Sequence, residues 1–167
     1  MTKQSNFAAT SDSIAVIEDD AQARPIDFYL ILVVDDNTDV HEATRLTLKD
    51  SRINGRRIEL LDAYSGEEAK RFIAHGIPFD LVLLDMVMET DDAGMNVAKF
   101  IQSYFGYKPA PAIIMRTGQP GQFKDQDVTD SIWFDEFILK SSITRNRLIE
   151  VITRRLAEAE QDGATRL

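Results

Sequence analysis

Along the chain, short unbroken apolar runs alternate with longer stretches in which apolar residues recur every three or four positions. Tyr29–Val34 is rich in β-branched and aliphatic residues and shows no alternation, which suits a strand buried on both faces. Asp39 is placed to cap a helix carrying Val40, Ala43, Leu46 and Leu48. Asn54-Gly55 punctuates, and Ile58–Ala63 reads as the next strand. Ser65 and Glu68 stand at capping-box spacing before a helical stripe of Ala69, Phe72 and Ile73, which Gly76 and Pro78 end. Leu81–Leu84 is another doubly buried strand, and 85–94 is a loop. Val97, Phe100, Ile101 and Tyr104 follow at helical spacing. Pro109 and Pro111 lead into the strand Ala112–Met115, and Thr117–Gly121 is a loop. A weak helical signal covers Asp125–Ser131, and Glu136–Leu139 is a short fifth strand. The last helix runs from Ile143 to about Glu160 with Leu148, Val151, Ile152 and Leu156 on one face.

This order is β-α repeated, which implies an α/β fold with a doubly wound, five-stranded parallel sheet and helices on both faces. Ligands of such folds sit at the carboxyl ends of the strands. The residues there are Asp35-Asp36 after the first strand, Asp85 after the third, Thr117 after the fourth and Lys140 after the fifth. An isolated Asp-Asp pair is ordinarily a solvated helix start; this one has three partners at matching strand ends. Two unit charges 4 Å apart repel by about 4 kcal/mol at an effective dielectric of 20. Three close carboxylates therefore either have raised pKa values or hold a cation among them, and for the latter a hard oxygen-liganded ion such as Mg²⁺ suits best. A carboxylate, a hydroxyl and a lysine beside Mg²⁺ form a phosphoryl-transfer arrangement, with Asp85 as an oxygen nucleophile. Asp91-Asp92 lacks strand-end placement and reads as a solvated turn.

Length and composition narrow the classes. The chain has 167 residues, 44% hydrophobic and 28% charged, which fits one globular domain with tails. The net charge of −9 argues against direct nucleic-acid or anionic-membrane binding. The absence of cysteine excludes disulfides, thiolate zinc sites and thiol nucleophiles. His41 and His75 are not at the spacing of a helical zinc pair, and His41 reads as a helix-face residue. No signal-peptide pattern and no apolar run of about 20 residues is seen, so a cytoplasmic location is the default expectation.

The stretches "LILVVDDNTDVH" (30–41), "FDLVLLDMVM" (79–88), "IIMRTG" (113–118) and "FILK" (137–140) together resemble the receiver domains of two-component response regulators. The resemblance spans about Tyr29 to Leu156. It implies a flavodoxin-like (βα)5 receiver fold that accepts a phosphoryl group from phosphohistidine. By the same resemblance Asp35 and Asp36 hold Mg²⁺, Asp85 is the phosphoacceptor, and the backbone carbonyl of Val87 is a third metal ligand. Thr117 contacts the phosphoryl group and moves on activation, Lys140 pairs with its oxygens, and Phe137 stands at the switch-aromatic position. A narrower resemblance rests on "VMETDDAG" (87–94) and "RTGQPGQ" (116–122), which look like receivers that precede HD-GYP cyclic-di-GMP phosphodiesterase domains.

The implied partners are a sensor histidine kinase or a histidine phosphotransfer protein, an output domain beyond the C-terminus, and a second copy in a homodimer. The sequence departs from the family pattern at Glu89, where a proline is usual, and at Ser141, which replaces the proline after the lysine. Phe137 lacks the hydroxyl of a tyrosine switch, and apolar Val87 predicts a long-lived phosphoaspartate. Two other readings belong to different classes. One is a receiver-fold interaction module that works without phosphorylation. The other is a phosphatase of the haloacid dehalogenase type, which needs a second aspartate where Val87 stands. Ile14–Asp20 imitates a strand ending in an acidic pair, but only Tyr29–Asp36 is followed by a capped helix and correctly spaced strands. The expected organisation is an extension (1–27), a receiver domain (28–158) and a short tail (159–167).

Overall fold

The apolar runs form the strands of one sheet, and the periodic stretches form the helices that cover it. The computed structural model describes residues 27–106, 108–118 and 132–165. The strand-like segment at 14–20, the expected helix at 125–131 and the turn residues 119–121 lie outside the described residues. The elements are β1 (Phe28–Val34), α1 (Thr38–Leu48), β2 (Arg52–Ile53), β3 (Arg56–Ala63), α2 (Gly66–Ala74), β4 (Leu81–Asp85), α3 (Ala93–Phe105), β5 (Ala112–Thr117), β6 (Glu136–Leu139) and α4 (Arg145–Thr165).

The sheet order is β2-β3-β1-β4-β5-β6. The five expected strands are parallel, and β2 adds a short antiparallel edge to β3. Asn54 (φ 50°) and Gly55 (φ 80°) explain that addition. Two successive positive φ angles make the tight hairpin turn that an Asn-Gly pair favours, and it folds Arg52-Ile53 back onto β3.

Each strand sends alternate side chains to opposite faces. Leu32, Val34, Val82, Leu84, Ile113 and Met115 pack with Ala69 and Ile73 of α2 and Val97, Ala98 and Ile101 of α3. Ile31, Val33, Leu81, Leu83 and Ile114 pack on the other face with Leu48 of α1 and Leu148, Val151, Ile152 and Leu156 of α4. Both faces are thus sealed, which is why β1, β4 and β5 carry no polar alternation.

Three local expectations are corrected. Asn37, not Asp39, caps α1: its side chain accepts the Asp39 amide at 2.9 Å, and Asp39 lies in the first turn. The buried residues of α1 are His41, Thr44 and Leu48, while Leu46 is 64% exposed. Polar residues take these inward positions because the end of α1 nearest the strand ends faces the acidic site. Tyr104 of α3 is also exposed, and its ring stacks with Phe100 on the surface. The capping box forms as read: Glu68 N donates to Ser65 Oγ at 3.1 Å, and Tyr64 N donates to Glu68 Oε2 at 2.8 Å.

Candidate functional site

The face alternation of the strands carries over to the residues at their ends. Asp35 continues the row Tyr29, Ile31, Val33 of β1, and Asp85 continues Leu81, Leu83 of β4. β1 and β4 are adjacent and parallel, so both carboxylates reach the same sheet edge on the same side. Asp35, Asp36 and Asp85 each offer an oxygen, and these lie within 4.8 Å of one another. Lys140, in the turn after β6, places Nζ 2.7 Å from Asp35 Oδ2 and 2.9 Å from Asp85 Oδ2. Asp35 and Asp85 are buried, whereas Asp36 is exposed.

Backbone bonds hold the two buried carboxylates in place. Asp35 N donates to Ala63 O of β3 at 3.1 Å, and Asn37 N donates to Asp35 Oδ1 at 3.1 Å. Beyond Asp85, Met86 N donates to Arg116 O at 2.8 Å, and Gly94 N donates to Met86 O at 3.1 Å. Burial pushes the Asp85 carboxyl above its ordinary value and nearby Asp35 adds to the rise, while the ammonium of Lys140 opposes it.

The donor set fits a hard divalent cation. Three carboxylates converge, exposed Asp36 keeps one side open to solvent, and the buried Asp35 Oδ2 has the Lys140 ammonium beside it at 2.7 Å. Asp35, Asp36 and Asp85 are the residues that could hold such an ion. Thr117 ends β5 beside β4 and is buried; it pairs in register with Leu139 of β6. Phe137 pairs in register with Met115 and packs, half-buried, on the α2–α3 side with Phe134, ring centroids 6.5 Å apart. Val87, in the loop after Asp85, is half-buried against the same cluster. Trp133 packs there too and lies under Lys99.

Three residues at the site carry more than their sequence context suggested. Arg116 is 4% exposed, sits in register with Asp85 and points Nη2 toward Asp35 Oδ2 at 3.6 Å. Its signal was parity: position 116 continues the row Ala112, Ile114 that faces α1 and α4. His41 is a helix-face residue as read, and the face it occupies is the buried one of α1, where it is 3% exposed. Its Nε2 lies 2.7 Å from Asp35 O and its Nδ1 2.9 Å from Asp62 Oδ1. Arg45 pairs with Asp62, and the Tyr64 ring tilts against the imidazole at 4.4 Å. Glu89, where the family pattern has proline, accepts the Gly66 amide at 2.9 Å and so ties the loop after Asp85 to the start of α2.

Comparison with known proteins agrees with this construction. Residues 31–153 match the response regulator receiver domain family, and the chain belongs to that family. The chain is 32% identical over 120 residues to the "3'3'-cGAMP-specific phosphodiesterase 2" of Vibrio cholerae. That alignment covers 72% of this chain and 23% of the relative, so the chain spans about a quarter of that protein's length. Among solved structures it resembles the signal receiver domain of an HD domain-containing protein from Pseudomonas fluorescens (TM-score 0.68, 18% identity, 87% of this chain and 98% of that one). It also resembles a CheY-like receiver domain from Methanospirillum hungatei (TM-score 0.61, 24% identity, 81% and 99% covered). The acidic cluster of Asp35, Asp36 and Asp85 is the arrangement typical of a receiver phosphorylation site. No helix among the described residues is long and apolar enough to cross a membrane.

Proposed function

We propose that the chain is a phosphorylation-switched receiver in which Asp85 accepts a phosphoryl group from a phosphohistidine of a sensor histidine kinase or a histidine phosphotransfer protein. The observation that carries this reading is the position of Asp85: buried, 2.9 Å from Lys140 Nζ and within 4.8 Å of two further carboxylates. In the transfer, an oxygen of Asp85 forms a bond to phosphorus as the nitrogen–phosphorus bond of the donor breaks. The imidazole leaves and takes up a proton from solvent. Lys140 faces the incoming charge and holds the Asp85 oxygen in place. Mg²⁺ held by Asp35, Asp36 and Asp85, with the Val87 carbonyl, would neutralise phosphoryl oxygens.

Thr117 is the hydroxyl that follows the transferred group, and Phe137 is the aromatic that reads it. Thr117 lies on β5, next to the strand of Asp85, and Phe137 lies on β6, the strand beyond it, so a shift of Thr117 is felt by the β6 face. The outcome is a two-state population shift. The apolar side chain of Val87 has no donor or acceptor to orient an attacking water, which favours a long-lived phosphoaspartate. Given the relative of which this chain spans about a quarter, the output is a cyclic-dinucleotide phosphodiesterase domain joined to the receiver. The partner kinase places the domain in the cytoplasm.

Beryllofluoride with Mg²⁺ mimics an aspartyl phosphate and separates this reading from an interaction module that needs no phosphate. Its addition should shift the backbone amide resonances of Asp85, Thr117 and Phe137 together. Unchanged spectra at saturating beryllofluoride would favour the interaction module.

A further inference from the structure

Arg116 is a buried guanidinium with few partners. Its Nη1 donates to Thr44 Oγ1 at 3.1 Å, and Thr44 in turn donates to Val40 O at 2.7 Å. Nε and Nη2 are buried and make no hydrogen bond. Asp39 is the one acid among the residues lining the cavity between α1 and the start of α4, and it is exposed. The anions that face Arg116 are therefore Asp35, with Oδ2 3.6 Å from Nη2, and Asp85, its register neighbour. Desolvation works against the Arg116 charge and these two carboxylates support it. An arginine stays protonated in such a setting because its intrinsic pKa is so high.

Asp35 Oδ2 is consequently shared. Lys140 lies 2.7 Å away on the mouth side and Arg116 approaches from beneath. Without Arg116, three carboxylates would face Lys140 alone. With it, two fixed cations leave a single net negative charge at the site. That setting lowers the attraction for a divalent ion and keeps Asp35 turned inward.

We propose that Arg116 is a charge-setting and positioning residue of the acidic site, a second fixed cation that partly neutralises Asp35 and holds the affinity for Mg²⁺ down. This rests on the proposed receiver function for its meaning, but its effect on metal binding does not require phosphorylation. Removing a unit charge beside a divalent ion changes affinity on the order of tenfold. A purely structural arginine predicts the opposite sign, because a loosened Asp35 would bind the ion less well.

The test is an amide-resonance titration of the full chain with MgCl₂ at fixed ionic strength, for wild type, Arg116→Met and Arg116→Lys. Arg116→Met should bind Mg²⁺ on the order of tenfold tighter, and Arg116→Lys, which keeps the charge, should stay within threefold of wild type. If Arg116→Met does not fold, Arg116→Gln, which keeps a donor for Thr44, is read in its place. A change below threefold in the neutral variant, or weaker binding, overturns the proposal, as does a lysine variant that tightens like the neutral one. Wild type that labels on Asp85 while its Mg²⁺ affinity ignores Arg116 defeats this inference alone. Wild type that fails to label while the affinity shifts defeats the receiver mechanism alone.

Discussion

A Cβ added to Gly94 would lie 2.1 Å from the carbonyl oxygen of Asp85. It would also meet Met86 Cα at 2.7 Å and Asp85 C at 2.9 Å, all backbone atoms that cannot swing aside. The first turn of α3 therefore rests directly on the main chain that carries the buried carboxylate, held by the bond from Gly94 N to Met86 O. The glycine is required here by close approach of two backbones, not by a special φ angle.

Gly94→Ala should accordingly destabilise the fold by about 2–3 kcal/mol, the scale of overpacking a tight core. Urea denaturation measures it. Loss of under 0.5 kcal/mol would mean that α3 can slide away from Asp85 at little cost.

The Asp85 carboxyl is held above its ordinary value mainly by burial. A raised folded-state pKa means that this group favours folding when protonated, at pH below its unfolded value. The benefit is lost as pH rises through the folded-state value. Asp85→Asn should therefore raise the melting temperature at pH 7 without Mg²⁺, on the order of a few degrees. The gain should shrink as the pH is lowered below the ordinary aspartate range. An equal gain at all pH values would assign the effect to packing instead.

His41 joins the backbone of Asp35 to the Asp62 carboxylate through both ring nitrogens. His41→Ala leaves the buried Asp35 carbonyl without that partner and opens space beside Tyr64. The expected loss is about 2–3 kcal/mol. Asp62→Asn, which keeps an acceptor for the imidazole, should lose about half as much. Chemical denaturation of both variants decides it, and equal losses would contradict the role given to the Asp35 carbonyl.

Glu89 accepts the amide of Gly66, the first residue of α2, and its charge lies at the positive end of that helix. Glu89→Ala should cost about 0.5–1 kcal/mol and Glu89→Gln less, since the amide oxygen still accepts. The Gly66 amide resonance should move most in both. An unshifted Gly66 amide would show that the loop after Asp85 is not tied to α2.

Much of the fold was legible because two-face burial leaves unbroken apolar runs such as Leu81–Leu84 and Tyr29–Val34, whose shortness and aliphatic, β-branched content favour strands. The strand-end carboxylates and Lys140 followed from the same pattern, since their chemistry is unusual and their spacing is set by the repeat. β2 was missed because two residues carry no periodicity, although Asn54-Gly55 marked the turn. Leu46 was misplaced because α1 buries His41 and Thr44, polar residues whose inward position depends on the acidic site opposite. Arg116 was passed over for the same reason: a charged residue at a core position makes sense only once Asp35 stands opposite. Asn37 over Asp39 as cap is a two-residue choice between two good capping side chains, which local sequence does not separate.

The central claim is that Asp85 is the phosphoryl acceptor. Incubation with radiolabelled acetyl phosphate and Mg²⁺ should label the wild-type chain on one acyl phosphate, lost on hydroxylamine treatment. Asp85→Asn should take up none, and chelating the metal should abolish labelling of wild type. Asp85→Asn labelled at wild-type stoichiometry would contradict the account.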